Sequence, residues 1–299
     1  MSEDRDKWHR WLTHGRFGGD AELRERELTR FLYPVRDEVL DRSGLQPGET
    51  LLDVGSGDGL IGLGALDRTG PAGHVIFSDI SRDLLDHCRD AAAAEGALTR
   101  CSFVLAGADS LEVIPDAAAD VVTTRSVLIY VKDKAAAFAE FHRVLRPGGR
   151  VSIFEPVNVL MGDGATSRFS GYDVAPVAAI AAKLRAVYET LQPPGTDPML
   201  DFDDRDLVRL ASSAGFGEVS LELQVTVRAS RPPMPWERFL ATSGNPLIPS
   251  IGEAMDQVLD AGEIRQLTDH LRPLVEAGTG QERRAVAYLT AVKSSLSTP

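Results

Sequence analysis

The chain has 299 residues, of which 43% are apolar and 25% charged, so it can bury the core of one large domain or two modest ones. Its formal net charge is −12 and its basic residues are scattered, which argues against nucleic acid as a partner. No apolar run approaches the roughly 20 residues that cross a bilayer, and no signal-peptide pattern is present. Cys88 and Cys101 make neither a disulfide framework nor a metal-ligand spacing. We therefore expect a cytoplasmic protein without a metal, whose partner is a small molecule.

The first 45 residues predict a helical lid. Leucine and valine recur at three- and four-residue spacing in AELRERELTRFLYPVRDEVL, which is typical of a helix with one apolar face. Pro34 is expected to break or restart this helix, because proline has no N–H to donate.

Residues 46–157 alternate short apolar runs with helical patterns. The runs are TLLDVG, HVIFSD, RCSFVLA, DVVTTRS and RVSIFEP, and the helical segments lie between them. This order predicts an α/β fold, namely a Rossmann-like, seven-stranded, mostly parallel sheet with helices on both faces. The proline and glycines of LRPGG are expected to end the preceding helix sharply.

The remaining segments complete the predicted sheet and cap it. Residues 201–230 and 282–299 supply a helix, with Asp204 as its N-cap, and the strands EVSLELQVTVRAS and RAVAYLTAVKS. Residues 158–200 and 231–281 are too long for simple connections, so we expect two cap insertions over a cleft. The whole chain is then a single domain with a lid and two caps.

A glycine turn follows the first strand in LLDVGSGDGLIGLGA. Gly55, Gly57 and Gly59 recur with Asp53 ahead of them, and a turn of this kind lets a ligand lie against the backbone at a helix N-terminus. The dinucleotide fingerprint G-x-G-x-x-G requires a glycine where this chain has Leu60. That difference argues against a nicotinamide-dependent oxidoreductase, which is the rival enzyme class.

The segment LLDVGSGDG resembles motif I of the class I S-adenosylmethionine-dependent methyltransferases. HVIFSD ending in Asp79, LAGADSL containing Asp109, and TTRSVLIYVKDKAAAFAEFHRVLRPGGRVSIFEP are similar to later segments of that family, in the same order. The resemblance implies S-adenosylmethionine as cofactor, with Asp79 on its ribose and Asp109 near its adenine. The residues it implies in cofactor binding are Arg16, Tyr33, Asp53, Gly55, Ser56, Gly57, Gly59, Asp79, Ile80, Ala108, Asp109, Ser110, Arg125 and Ser126.

Methyl transfer from a sulfonium requires an acceptor held in line with the departing sulfur, and a general base only where the acceptor must lose a proton. The candidate catalytic residues are Arg125, Glu155, Tyr172 and His14. For Arg125 and Glu155 the alternative is an ordinary ion pair. Tyr172 could equally be packing, and His14 an exposed helix end.

The acceptor itself is not specified by a motif. Arg16, Arg125 and Arg168 make an acceptor with a carboxylate or phosphate plausible. The N/D-P-P-Y/F/W segment of amino-group nucleic-acid methyltransferases is absent, and two cysteines are too few for an arsenite methyltransferase. The arginine- and alanine-rich composition favours a bacterial enzyme of specialised metabolism. The sequence leaves open a homodimer, a non-catalytic cofactor-binding protein, and the choice among oxygen, nitrogen and carbon as acceptor atom.

Overall fold

The central feature of the fold is a sheet of seven strands. A computed structural model describes residues 6–15, 21–161 and 167–295. In chain order the strands are β1 (Thr50–Val54), β2 (His74–Asp79), β3 (Cys101–Leu105), β4 (Ala119–Arg125), β5 (Leu145–Pro156), β6 (Arg168–Phe169), β7 (Tyr172–Asp173), β8 (Phe216–Arg228) and β9 (Glu282–Lys293). The large sheet has the order β3-β2-β1-β4-β5-β9-β8, and β6 pairs with β7 alone. Strands β1 to β5 pair in parallel and β9 runs antiparallel to β5, which confirms the mostly parallel fold.

Helices connect these strands, and most begin at side-chain caps. The α-helices are α1 (Lys7–Arg10), α2 (Ala21–Glu27), α3 (Tyr33–Ser43), α4 (Leu60–Thr69), α5 (Arg82–Ala94), α6 (Lys134–Val144), α7 (Ala178–Leu191), α8 (Asp204–Ser213), α9 (Trp236–Leu240), α10 (Ile251–Val258) and α11 (Ala261–Ala277). Helix α8 is capped by Asp203 and not by Asp204, because Asp203 and Asp206 form a reciprocal capping box. The predicted cap was therefore one residue late.

Pro34 restarts the N-terminal helix as expected, but the interruption is not a loop. A π-helical turn, Leu28–Leu32, joins α2 to α3, and Pro34 is the second residue of α3. Proline is tolerated in the first turn of a helix, where its missing N–H has no intrahelical partner to lose. The wider turn keeps the helical path continuous across the proline.

Aromatic side chains of β2, β3, β5 and β9 pack against one another across the sheet. The rings of Phe77 and Phe103 stack with centroids 5.2 Å apart, and Phe154 contacts Tyr288 at 5.1 Å. Helix α4 approaches β2 closely, since a Cβ added at Gly62 would overlap the Phe77 ring. These contacts fix the start of α4, and so the glycine turn that precedes it.

The chain divides into two compact units. Unit 1 consists of Met1–Pro156, Phe202–Leu223 and Val286–Pro299, and unit 2 consists of Val157–Asp201 and Gln224–Ala285. The two insertions predicted as separate caps therefore form one unit. Its core includes Phe169, Tyr172, Trp236, Phe239, Leu267 and Leu271. Within the described ranges, no helix has both the length and the apolar character that crossing a bilayer takes.

Candidate active site

The glycine turn lies between β1 and α4 and adopts the backbone conformation that glycine permits. Gly55, Gly57 and Gly59 have φ values of 64°, 56° and 85°, in the left-handed region. The turn is held by two backbone hydrogen bonds, from Ser56 N to Ser78 O at 2.9 Å and from Gly59 N to Ser56 O at 2.9 Å. The left-handed backbone explains why three glycines stand at alternate positions.

Asp53 stabilises this turn through hydrogen bonds to the first turn of α4 and to β4. Its Oδ2 accepts a hydrogen bond from Gly62 N at 2.9 Å and its Oδ1 accepts one from the Thr123 hydroxyl at 3.0 Å. The side chain is buried, and burial raises its pKa to about 7 against the opposing effect of these two donors. Because both oxygens have protein donors, Asp53 is better described as a positioning residue for α4 than as a ligand-contacting acid.

Asp79 ties the end of β2 to the glycine turn. Its Oδ2 accepts a hydrogen bond from Gly57 N at 2.8 Å and its Oδ1 accepts one from Ser81 N at 2.9 Å. Burial raises the pKa of this carboxyl, and the two backbone donors oppose that shift. A carboxylate has about four acceptor positions, so Asp79 can still accept two hydrogen bonds from a diol.

The ends of β2 and β3 present an apolar surface beside an acid. Ile80 follows Asp79 and is 63% exposed, which is unusual for a large aliphatic side chain directly after a buried strand. A Cβ at Gly107 would lie 3.6 Å from Ile80 Cγ2 and 3.1 Å from Asp109 Oδ1. Ala108 is buried, whereas Asp109 and Ser110 are exposed. This arrangement suits a flat aromatic base with a hydrogen-bonding edge.

Ser56 places a buried hydroxyl in the middle of the glycine turn. Its Oγ is buried and has no oxygen or nitrogen partner in the described part of the chain. The Cys88 thiol is its side-chain neighbour, and the hydroxyl oxygen keeps acceptor and donor capacity for a polar group of a ligand.

The N-terminal segment packs over the glycine turn. Leu12 Cδ1 lies 3.4 Å from the position that a Cβ at Gly57 would occupy. The Trp8 ring meets the Tyr130 ring edge-on, with centroids 4.6 Å apart. Tyr33, under the Arg36 guanidinium at 4.6 Å, packs on the Leu28–Leu32 cluster, as does Leu60 at the start of α4. Leu12 therefore covers the turn at Gly57, and Tyr33 packs in the same cluster as the first residue of α4.

Comparison with known proteins assigns the segment that contains the glycine turn. Residues 51–149, which contain the turn and the ends of β1 to β4, match a protein-family model described as a methyltransferase domain. By this match, residues 51–149 are a methyltransferase domain. The matched range contains the glycine turn with Asp53 ahead of it, and also Asp79 and Asp109, which the sequence predicted at the cofactor.

Curated relatives match a segment of 117 residues of this chain. Over 117 residues the chain is 37% identical to the ubiquinone/menaquinone biosynthesis C-methyltransferase UbiE of Vibrio campbellii, covering 39% of this chain and 45% of that protein. The protein of the same name from Hydrogenovibrio crunogenus is 32% identical over 117 residues, with 46% of its length covered. The matched segment thus spans less than half of each relative.

Solved structures share the fold over a longer stretch. The YcgJ protein of Bacillus subtilis has a TM-score of 0.52 and 15% identity, covering 87% of this chain and 97% of that one. Phosphoethanolamine N-methyltransferase 2 of Haemonchus contortus, solved with phosphomonomethylethanolamine and S-adenosylhomocysteine, has a TM-score of 0.52 and 18% identity, covering 87% and 52%. Likeness at these identities shows the fold alone.

Arg125 ends β4 in the methyltransferase domain and is half-buried. The surface ion pair considered from the sequence is not formed, since its guanidinium makes no hydrogen bond or salt bridge to any described residue. Its positive charge lowers the pKa values of Asp53 and Glu155 against the effect of burial. Ser126 follows with φ of 56°, and its N donates to Phe154 O at 2.8 Å.

Glu155 does not serve as the expected base or acceptor-orienting group. It is fully buried, and its carboxylate accepts hydrogen bonds from the backbone N–H groups of Val127 at 2.8 Å, Leu128 at 2.9 Å and Ile129 at 3.3 Å. The carboxylate therefore caps the turn after β4, and it forms no salt bridge with any described residue. Burial raises its pKa to about 7 despite these donors.

The pKa of Glu155 makes a prediction about stability. An ordinary glutamic acid has a pKa of 4.5, so between pH 4.5 and about 7 the folded protein holds more protons here than the unfolded chain. The free energy of unfolding should fall by about 3 kcal/mol across this window as pH rises, and Glu155→Gln should remove that contribution. Urea unfolding at several pH values measures the slope. The surface variant Glu189→Gln is the control, and an unchanged slope in Glu155→Gln would contradict the assignment.

The remaining predicted catalytic residues, Tyr172 and His14, stand differently in the structure. Tyr172 lies in unit 2, where its buried ring packs edge-on against Phe239 at 5.7 Å, so we correct its role to core packing. The side chain of His14 and the whole of Arg16 lie outside the described residues. The structure shows two further residues beside the glycine turn and its lid. Val127 packs against Gly55, and Tyr130 contacts Trp8. The sequence did not single them out, because neither was expected to take part in the chemistry.

Proposed function

We propose that this protein transfers a methyl group from S-adenosylmethionine to a small organic molecule. The observation that carries the proposal is the hydrogen bond from Gly57 in the glycine turn to Asp79, with Ile80 and Asp109 beside it. One constellation thereby offers sites for the amino-acid part, the ribose and the adenine of that cofactor. The Leu60 substitution in the dinucleotide pattern favours this reading over a nicotinamide cofactor.

The described residues fit the cofactor. The backbone of Gly55 and Gly57 and the Ser56 hydroxyl line the place for its polar amino-acid end. Asp79 has acceptor capacity left for the ribose hydroxyls. When bound, S-adenosylmethionine supplies an electrophilic methyl group. The protein contributes by orienting the two reactants in line and by excluding water.

The acceptor is proposed to be a small molecule of bacterial specialised metabolism. The UbiE relatives are named for carbon methylation of quinone precursors, but they match less than half of their own length. The family match ends at residue 149, before unit 2 begins, so unit 2 has no assigned role in acceptor choice. The matches therefore leave both the acceptor and its methylated atom open.

Calorimetric titration of the whole chain with S-adenosylmethionine, S-adenosylhomocysteine and NADH tests the cofactor. We expect micromolar binding of the two adenosyl ligands and no binding of NADH. Binding of NADH alone would overturn the proposal. Binding of S-adenosylmethionine with no S-adenosylhomocysteine formed from a broad acceptor panel would favour a non-catalytic binding protein.

The lid makes a second prediction at this site. Trp8→Ala removes the edge-on contact with Tyr130, and such aromatic pairs contribute about 0.5–1.5 kcal/mol beyond their buried area. We expect S-adenosylhomocysteine to dissociate about fivefold faster, because the segment over Gly57 is held less firmly. Surface plasmon resonance measures the rate. Lys7→Ala, an exposed change on the same helix, is the control and should leave the rate within twofold.

A further inference from the structure

Arg125 is set apart from neighbouring arginines by having no acidic partner. Three other arginines of unit 1 on or near the same strands each hold a carboxylate: Arg143 with Glu140, Arg146 with Asp120, and Arg150 with Glu49. Arg125 is half-buried at the carboxyl end of β4, yet no described residue accepts a hydrogen bond from it. Guanidinium groups that leave bulk water are ordinarily paired, so this one is expected to meet an anion from outside the protein.

The charge of Arg125 lowers the pKa values of Asp53 and Glu155, but neither carboxylate can serve as its hydrogen-bonded partner. Asp53 is committed to Gly62 N and Thr123, and Glu155 is committed to three backbone N–H groups. Turning either side chain towards Arg125 would leave buried backbone donors without an acceptor, which is unfavourable. Both acids therefore keep their present hydrogen bonds, and the N–H groups of the Arg125 guanidinium stay available to a ligand.

The position of Arg125 sets where the anion must lie. In the sheet register β1 and β4 pair up to Val54 and Thr124, so Arg125 stands level with the start of the glycine turn. On its other side Arg125 pairs with Phe154 of β5. Asp79 and Asp109, the expected ribose and adenine positions, belong to the opposite side of β1. The open guanidinium is thus at the end of the site away from the adenosine.

We propose that Arg125 is a carboxylate receptor that binds one ligand carboxylate through its planar fork of N–H groups. The inference rests on the proposed function. A singly charged carboxylate matches the charge of a single guanidinium, and its two oxygens match the planar donor fork. The carboxylate has two possible sources, the amino-acid end of the cofactor or the acceptor.

The first arm of the test compares two cofactors. S-adenosylmethionine and its decarboxylated analogue are titrated into the wild type and Arg125→Met, which keeps an unbranched chain without the charge. If the cofactor is the source, the wild type should prefer S-adenosylmethionine at least tenfold, and the variant should lose that preference. Arg146→Met, at a paired and exposed arginine, is the control and should keep it.

The second arm tests the acceptor as source. Protein saturated with S-adenosylhomocysteine is titrated with acetate, benzoate and 3-phenylpropionate, each compared with its primary amide. If the acceptor is the source, Arg125→Met should leave the preference between the two cofactors unchanged and should abolish a preference for the acids over their amides.

The outcomes separate the two proposals. If Arg125→Met changes neither preference while its melting temperature stays within a few degrees of the wild type, Arg125 is not a carboxylate receptor. If the wild type binds neither adenosyl cofactor, the proposed function fails before Arg125 is reached.

Discussion

Replacing Asp79 with alanine is expected to weaken S-adenosylmethionine binding about a hundredfold. A hydrogen bond to a charged group contributes about 1.5–3 kcal/mol, and the ribose offers two hydroxyls, so a combined loss near 3 kcal/mol is a conservative figure. The variant also removes the acceptor for Gly57 N, which loosens the turn that surrounds the amino-acid end. Both effects act on binding in the same direction.

Titration calorimetry of Asp79→Ala measures this loss. Asp79→Asn keeps one oxygen acceptor and the side-chain shape, so its affinity should fall between those of the wild type and Asp79→Ala. Asp90→Ala, at an exposed position on α5, is the matched control and should bind like the wild type. Affinity within twofold of the wild type in Asp79→Ala would remove Asp79 from the proposed site.

Replacing Gly55 with alanine is expected to lower the free energy of unfolding by about 3 kcal/mol. An L-residue at φ of 64° costs about 1–2 kcal/mol, because the left-handed region places Cβ against the backbone. The new Cβ would also overlap the Val127 side chain, and overpacking of this kind costs about 1–3 kcal/mol. The two costs are separate in origin, so they can be measured separately.

Gly96→Ala isolates the backbone cost. Gly96 has φ of 68° and no heavy atom within 4 Å of its added Cβ, so only the conformational strain applies. The double variant Gly55→Ala, Val127→Ala relieves the overlap and should recover part of the loss, as urea unfolding can determine. Equal losses in Gly55→Ala and Gly96→Ala would show that Val127 accommodates the methyl group.

The fold was predictable because its signals are local. The first five strands contain apolar runs, α5 and α6 begin at side-chain caps, and the glycine turn is specified by residues within a few positions of one another. Asp79 and Asp109 follow strand ends, and parallel strands bring their carboxyl ends to one edge of the sheet. The family resemblance rested on the same segments.

What the sequence did not predict depends on distant contacts. The sequence predicted that the Glu155 carboxylate was available for catalysis. Its three backbone donors lie 26 to 28 residues earlier in the chain, so no local pattern could indicate them. Tyr172 lies in a glycine-rich segment typical of a binding loop, yet it packs against Phe239 from the second insertion. Only the folded chain shows that the two insertions share a core.

The position of β9 has a consequence for the order in which the protein is made. β9 is the last strand in chain order, but in the sheet it lies between β5 and β8. As the chain leaves the ribosome, β8 therefore has no sheet neighbour until residues 282–293 have emerged. A premature stop before β9 would leave a five-stranded sheet with β5 exposed at its edge and β8 detached, both open to intermolecular pairing.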